Sequence, residues 1–441
     1  MNGARSRESA LGWIWIAMAA GAFAAVTWYC WMGRLGLVAF GLLAVAAVAF
    51  ALGRRQLSIA SRATLDMIAK TLFTVVGIIA LLRHPIDVGD GARLPIYDAI
   101  VQYLPDVDAR TFFIFALLAM LVKFVGVISS AYSWHLLLVG QRIRYPFWSA
   151  IMTAFLIGRF IGTFLPSTIG LDGYTLYEAG RYSNQWSRAV TAKALEKFIG
   201  MTGLFLGMVL TLPFGYQVLV DVTTQGGRPQ AAPLVAAIIA LVGGGVSAGV
   251  IAILVWPALL TRAMASIGRL LPGGVRAQID SLAHSVGAYR GQAGLLFAVL
   301  FSKFVTHFTT AVPYYFTALA IGVTGARFWP IVFGSMIQII GTVFSPTIAG
   351  EGAREAFQAL LLSKQLGGVA QAVLSGALGF IAAEAATLWG GAFLWVRTPG
   401  WRPAFTYVDG AQVDYAWIDD SEPGGLEAAR RGEVRRFAAH R

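Results

Sequence analysis

Hydrophobic positions in this chain come in long unbroken runs, not in the alternation of a half-buried strand or the stripe of a surface helix. A helix that crosses a bilayer needs about 20 mostly apolar residues. Candidate runs fall near 11–33, 35–52, 66–82, 111–139, 189–213, 233–256, 293–322 and 369–396. The first is long and closely followed by the second, with no small-residue cleavage site, which predicts a retained span and not a signal peptide. Two further apolar runs, 147–165 and 329–345, are each broken at a proline by a Gly-containing stretch and followed by a short polar helix. The pattern predicts an all-α polytopic membrane protein with about eight transmembrane helices and two re-entrant helical hairpins, near 147–182 and 329–365.

The two hairpins resemble each other. Phe164, Pro166, Gly170, Asp172 and Gly173 in one correspond to Phe344, Pro346, Gly350, Glu351 and Gly352 in the other, at a period of 180 residues. Three crossings lie between them, so the second copy enters from the opposite face, as in transporters built on inverted repeats. Short Pro/Gly motifs are also frequent in membrane helices, which leaves coincidence as the alternative. Pro166 and Pro346 lack a donor, and the turns after them free backbone groups that lipid does not tolerate, so each turn must line a cavity or pack in protein. A helix restarts after each turn with Asp172 or Glu351 near its start, aiming a positive helix end at the bilayer interior. Two such ends suit an anion such as a lipid phosphate; the acids either cap the helices or meet a cationic headgroup.

Composition supports the membrane reading: charged residues are 13% and apolar ones 57%, with a mean hydropathy of +0.68. The single cysteine, Cys30, excludes an intramolecular disulfide, a cysteine-based zinc site and an iron–sulfur cluster. Net charge is +13 over residues 1–397 and −1 over 398–441. The basic residues follow the helix flanks without a basic face of interleaved aromatics, which argues for an orientation signal and against nucleic acid as a partner. Arg5, Arg54, Arg55, Arg62, Arg142, Arg144, Arg181, Arg188, Arg262 and Arg290 fall on one side, whereas loop 83–110 holds five Asp against three Arg. Both termini are therefore expected in the cytoplasm of a cell with this protein in its cytoplasmic membrane. Segment 257–292 reads as an interfacial or a solvated linker helix. The expected domains are N-terminal spans with an acidic external loop (1–110), a membrane domain with the inverted repeat (111–397), and a disordered or loosely docked cytoplasmic tail (398–441).

Charges inside apolar runs are the main chemical signal, because one at the bilayer centre costs about 2.5 to 3.5 kcal/mol on insertion scales. They are Lys123, Arg159, Lys193, Glu196, Lys197, Lys303, Arg354, Glu355 and Glu384. Lys193 and Lys197 share a helix face, with Glu196 beside it, and Lys303 and His307 share another. Lys193 and Lys197 also fit the snorkelling end of an ordinary span, and Arg354 with Glu355 fits a self-neutralising pair. Arg159 and Glu384 have no obvious local partner and most need a cavity. The five histidines show no metal-ligand spacing and no nucleotide-binding loop occurs, so neither a metal nor a cofactor is expected.

These residues resemble the transmembrane, flippase-like region of the lysylphosphatidylglycerol synthase family, over roughly residues 111–397. The likeness rests on Trp134, Leu136 and Leu137; on Gly158, Phe164, Pro166, Gly170 and Asp172; on Arg188, Glu196 and Lys197; and on Pro346, Gly350, Gly352, Arg354 and Glu355. Ser167, Leu171 and Lys197 depart from the family's usual glycines and arginine, which bears on substrate identity. The resemblance implies lipid translocation; the 44 residues after 397 are too few for the soluble aminoacyl-transfer domain of the long forms.

The expected function is movement of a polar (phospho)lipid or polyprenyl-phosphate-linked headgroup across the membrane. Arg159, Lys193, Lys197, Lys303 and Arg354 would replace water around a phosphate, while Asp172, Glu351, Glu355 and Glu384 balance them or bind an amine, with Glu196 also among the expected binding residues. Pro166, Gly170, Pro346 and Gly350 would shape the turns, with Arg159 and Arg354 facing one hydrated space. The alternatives are an integral glycosyl or phosphoryl transferase on a lipid carrier, with Asp172 or Glu384 as base, and a membrane scaffold for an envelope pathway with a partner there.

Overall fold

The computed structural model describes residues 10–32, 36–88, 92–164, 169–256, 283, 285–343, 345, 347, 350–396, 405–408 and 411–414. Pro166, Pro346, most of 257–292 and most of the tail lie outside these residues. Among the described residues eight helices are long and apolar enough to cross a membrane, and they fall on the eight apolar runs. The chain is an all-α, multi-pass membrane protein.

The first spans are α1 (Ala10–Trp31), α2 (Leu37–Arg55) and α3 (Ile59–Arg83). Ser58 starts α3 by accepting the Ser61 N–H, and Arg54 closes the α2–α3 corner with a two-pronged pair to Asp66, both contacts at 2.7 Å. The acidic loop that follows is folded: β1 (Pro85–Asp87) pairs antiparallel with β2 (Arg93–Pro95), and α4 (Ile96–Tyr103) is held by Tyr103 Oη donating to the Ile321 carbonyl at 2.6 Å.

Asp108 then accepts the Thr111 N–H at 2.7 Å and opens α5 (Ala109–Gly140). A π-helical turn (Phe147–Met152) leads into α6 (Thr153–Phe164), followed by α7 (Ile169–Ser183), α8 (Trp186–Gln225) and α9 (Ala232–Val255). At about 1.5 Å per residue, α8 is about 60 Å long, twice a hydrocarbon core of about 30 Å, so its ends must reach beyond the apolar layer or tilt within it. The second half comprises α10 (Ala293–Ala320), α11 (Phe328–Val343), α12 (Ala353–Leu362), α13 (Val369–Leu388), α14 (Ala392–Val396) and the hairpin β3 (Phe405–Val408) with β4 (Ala411–Asp414).

The chain divides into two compact units. One comprises 1–113, 318–326 and 338–378; the other comprises 114–317, 327–337 and 379–441. The larger unit has a core around Trp134, Leu137, Ile143, Ala192, Leu195, Ile199, Tyr289 and Val299, with the Tyr289 hydroxyl donating to the Leu137 carbonyl at 2.7 Å. Glycine makes its helices meet closely. A Cβ on Gly170 would stand 2.5 Å from Gly162 Cα, so α6 and α7 touch backbone to backbone, and a Cβ on Gly203 would stand 3.0 Å from Lys303 backbone on α10.

Candidate functional site

In the larger unit, α8 supplies the centre of a charged network. Glu196, one turn on from Lys193, is buried, and each of its carboxylate oxygens receives an ammonium: Lys193 on Oε2 and Lys303 on Oε1, both at 2.6 Å. Lys193 Nζ also donates to Thr175 Oγ1 on α7 at 3.0 Å and lies 3.8 Å from the Trp134 ring centroid on α5. Such a cation over an indole face is attracted by the ring quadrupole. Lys303 Nζ donates to Ser130 Oγ on α5 at 3.3 Å. Asp172, in the first turn of α7, pairs with Lys197 and lies 3.8 Å from Lys193. Three lysines and two carboxylates thus tie α5, α7, α8 and α10 together with a sum of +1.

A second centre joins α6 and α13. Arg159 Nη2 donates to Glu384 Oε1 at 3.4 Å and Nε to Thr387 Oγ1 at 3.4 Å, while Thr163 Oγ1 donates to Glu384 Oε2 at 2.6 Å. Both charged side chains keep about a fifth of their surface, 21% and 19%.

Gly350, Glu351, Gly352, Arg354 and Glu355 of the second hairpin lie in the smaller unit and form a helix start. Gly350 and Gly352 have φ of +76° and +75°, the left-handed region that glycine enters freely. Glu355 Oε2 accepts the Gly352 N–H at 2.7 Å and Oε1 accepts from Arg354 Nη1 at 3.5 Å. Arg354 is buried, and Glu351 lies in the turn before α12. The two hairpins differ here: α7 begins at Ile169, three residues after Pro166, and α12 at Ala353, seven after Pro346. The smaller unit also holds a cleft of about 390 Å³ lined by Asp87, Gln102, Tyr103, Asp106 and Gln371 among others, with none of the residues singled out from the sequence.

Asp172, Lys193, Glu196, Lys197 and Lys303 are thus brought into one network, and Arg159 and Glu384 into another. Lys193 is buried in its network instead of snorkelling, whereas Lys197 keeps 53% of its side-chain surface and turns toward Asp172. Sequence reasoning passed over Thr163, Thr175, Ser130 and Thr387, because a hydroxyl in a membrane helix usually satisfies itself on its own backbone. The spacing offered a signal for two of them: Thr163 follows Arg159 by four residues and Thr175 follows Asp172 by three.

A family model described as the lysylphosphatidylglycerol synthase TM region matches residues 98–392, which contain both charged centres and the Arg354 turn. The chain belongs to the lysylphosphatidylglycerol synthase transmembrane family. No curated protein and no solved structure matches it. Membership in this family and eight apolar helices give the chain a membrane-lipid-related function.

Proposed function

We propose that this member of the lysylphosphatidylglycerol synthase transmembrane family is a lipid flippase of the cytoplasmic membrane, moving the polar headgroup of a phospholipid or polyprenyl-phosphate-linked lipid while its chains stay in the bilayer. The observation that carries the reading is the Arg159–Glu384 centre. A charged pair in an apolar helix region that is neither tightly bonded nor sealed is placed to exchange its internal contact for a ligand's. Arg159 takes a phosphate oxygen and Glu384 an amine or hydroxyl; Thr163 keeps Glu384 oriented when its guanidinium partner is engaged. The Glu196 network holds α5, α7, α8 and α10 in register around this function, and Lys197 offers a half-exposed ammonium to an approaching anion.

In the same reading, the α6–α7 and α11–α12 pairs are re-entrant, the two halves form an inverted repeat, and the lipid is the substrate. Basic loops around Arg54, Arg142 and Arg188 then lie in the cytoplasm with both termini, and loop 83–110 lies outside. Proteoliposomes with fluorescent phospholipids test the transport: exchange between leaflets should be faster with protein than without, and no acceleration for any headgroup removes the reading. Ser6→Cys and Asp90→Cys, each in a Cys30→Ser background, test the orientation. Reagent added outside intact cells should label Asp90→Cys and spare Ser6→Cys, and the reverse pattern inverts the map.

A further inference from the structure

The Arg159–Glu384 centre is built reciprocally and is half filled. Arg159 and Thr163 stand four apart on α6, and Glu384 and Thr387 three apart on α13, so each charge meets the hydroxyl of the facing helix. Thr387 is fully buried and donates to the Glu384 backbone carbonyl at 3.2 Å, which leaves its oxygen to accept from Arg159 Nε. A guanidinium has five N–H donors, and among the described residues Arg159 uses two of them, one on Thr387 and one on Glu384, both at 3.4 Å. A carboxylate has room for about four donors, and among the described residues Glu384 receives two, from Thr163 and Arg159. The unused capacity is therefore of both kinds, donors on α6 and acceptors on α13. The two formal charges cancel, and the exposed fifth of each side chain gives the side from which a ligand arrives.

We propose that this centre selects a zwitterionic headgroup, one phosphodiester and one ammonium with no net charge, holding the phosphate on Arg159 and the ammonium on Glu384. The proposal rests on the lipid-handling reading and narrows its substrate class. A phosphate offers acceptors and fills only the guanidinium; Glu384 then loses its cation and stays charged in an apolar helix region, where uncompensated charge is costly. A polyprenyl phosphate or a phosphatidylglycerol headgroup therefore leaves the centre negative. A headgroup with surplus positive charge leaves it positive, and an uncharged sugar headgroup brings no ion to replace the partner that each side chain gives up. A ligand with both charges exchanges the single 3.4 Å contact for two new ion pairs and keeps the sum at zero. The neighbouring Glu196 network does not offer its surplus positive charge to this ligand, because Lys193 and Lys303 are sealed on Glu196 with at most 9% of their side-chain surface exposed, and Lys197 is paired with Asp172. Thr387 and Thr163 steady the two charges while the pair is open.

The test is leaflet exchange by the full chain in proteoliposomes of phosphatidylcholine and phosphatidylglycerol. Traces of phosphatidylethanolamine, phosphatidylglycerol or a glucosyl diacylglycerol are added, each labelled on the acyl chain so that the headgroup is intact. The expected result is exchange of phosphatidylethanolamine faster than either other tracer by about tenfold or more, the effect of one uncompensated charge. Phosphatidylglycerol or the glycolipid exchanged at an equal or higher rate overturns the proposal and leaves the transport reading standing. No exchange of any tracer removes the transport reading, and the selectivity is then decided by calorimetric titration of the detergent-solubilised chain. Binding of dihexanoyl phosphatidylethanolamine in preference to dihexanoyl phosphatidylglycerol supports it; equal binding, or binding of neither, overturns it. Glu384→Gln leaves the centre with one positive charge, so in the same titration its preference should pass to phosphatidylglycerol, and an unchanged preference is contrary to the proposal. Should Glu384→Gln fail to fold, the comparison of headgroups on the wild-type protein still decides.

Discussion

Two charged centres in one unit have the same chemistry and opposite workmanship. Around Glu196, both carboxylate oxygens are met at 2.6 Å and the carboxylate and its two lysines have at most 9% of their side-chain surface exposed. Around Glu384, one oxygen has a hydroxyl at 2.6 Å, the other a guanidinium at 3.4 Å, and about a fifth of each charged side chain stays exposed. A buried ion pair repays its desolvation only with good geometry and satisfied neighbours. The first centre meets that condition and reads as scaffold; the second leaves interaction capacity unused and reads as a place for a ligand. The difference is open to attack by substitution.

The largest effect should come from Glu196→Gln, which leaves two buried ammonium groups with no full counter-charge. Breaking such a pair costs about 3 to 5 kcal/mol, so the variant should melt far below the wild type in detergent and accumulate poorly in membranes. A variant that melts like the wild type would strip Glu196 of its scaffold role and erase the contrast. Arg159→Ala and Glu384→Gln come next. Each should reduce leaflet exchange to the protein-free rate while melting close to the wild type, because the pair is long and partly hydrated. Melting losses as large as those of Glu196→Gln, or exchange left intact, would place both centres in the same structural class.

What the sequence made legible follows from range. Continuous apolarity is a local property, so each of the eight spans could be read from its own residues. Pairing across the fold is not local. Arg159 and Glu384 could be recognised as charges in need of a polar neighbourhood, but 225 positions separate them and nothing in either segment names the other. The apolar run was read as ending near 213, yet α8 continues through Pro213 to Gln225. A proline removes one donor, and packing beyond it, with Gly215 closed against the Phe333 ring, supports the helix through the defect. Loop 83–110 was legible only as acidic; α4 within it is held by Tyr103 reaching Ile321, again a long-range contact.

The scaffold interpretation also requires that α8 and α10 be held close, and two glycines one turn apart separate this from general helix propensity. A methyl group at Gly203 would stand 3.0 Å from Lys303 backbone, whereas one at Gly200 would meet the Lys303 side chain at an ordinary 3.8 Å. Gly203→Ala should therefore lower stability by about 1 to 3 kcal/mol, the usual range for overpacking. Gly200→Ala should be neutral or slightly stabilising, since alanine is the better helix former by about 1 kcal/mol. Equal melting of the two variants would mean that the Lys303–Glu196 contact does not depend on close approach of the two helices.

The smallest effect belongs to a carboxylate outside both centres. Asp108 sits in water at the start of α5, where the Thr111 side-chain and backbone hydrogen bonds hold its carboxyl below the usual carboxylate range. Bonds made to the charged form are the cause, so the stability it contributes is complete above the unfolded value of about 3.9 and is lost as the pH falls through the lower folded value. Asp108→Asn should therefore melt a little below the wild type at pH 7, with the gap closing as the pH falls toward 3. A gap that stayed constant to pH 3 would show that the residue acts by packing and not as a charged cap. Exposure keeps this contribution small because water screens it; the same carboxylate chemistry at Glu196, sealed between two lysines, has no water to fall back on, which is why the two substitutions should stand at opposite ends of the scale.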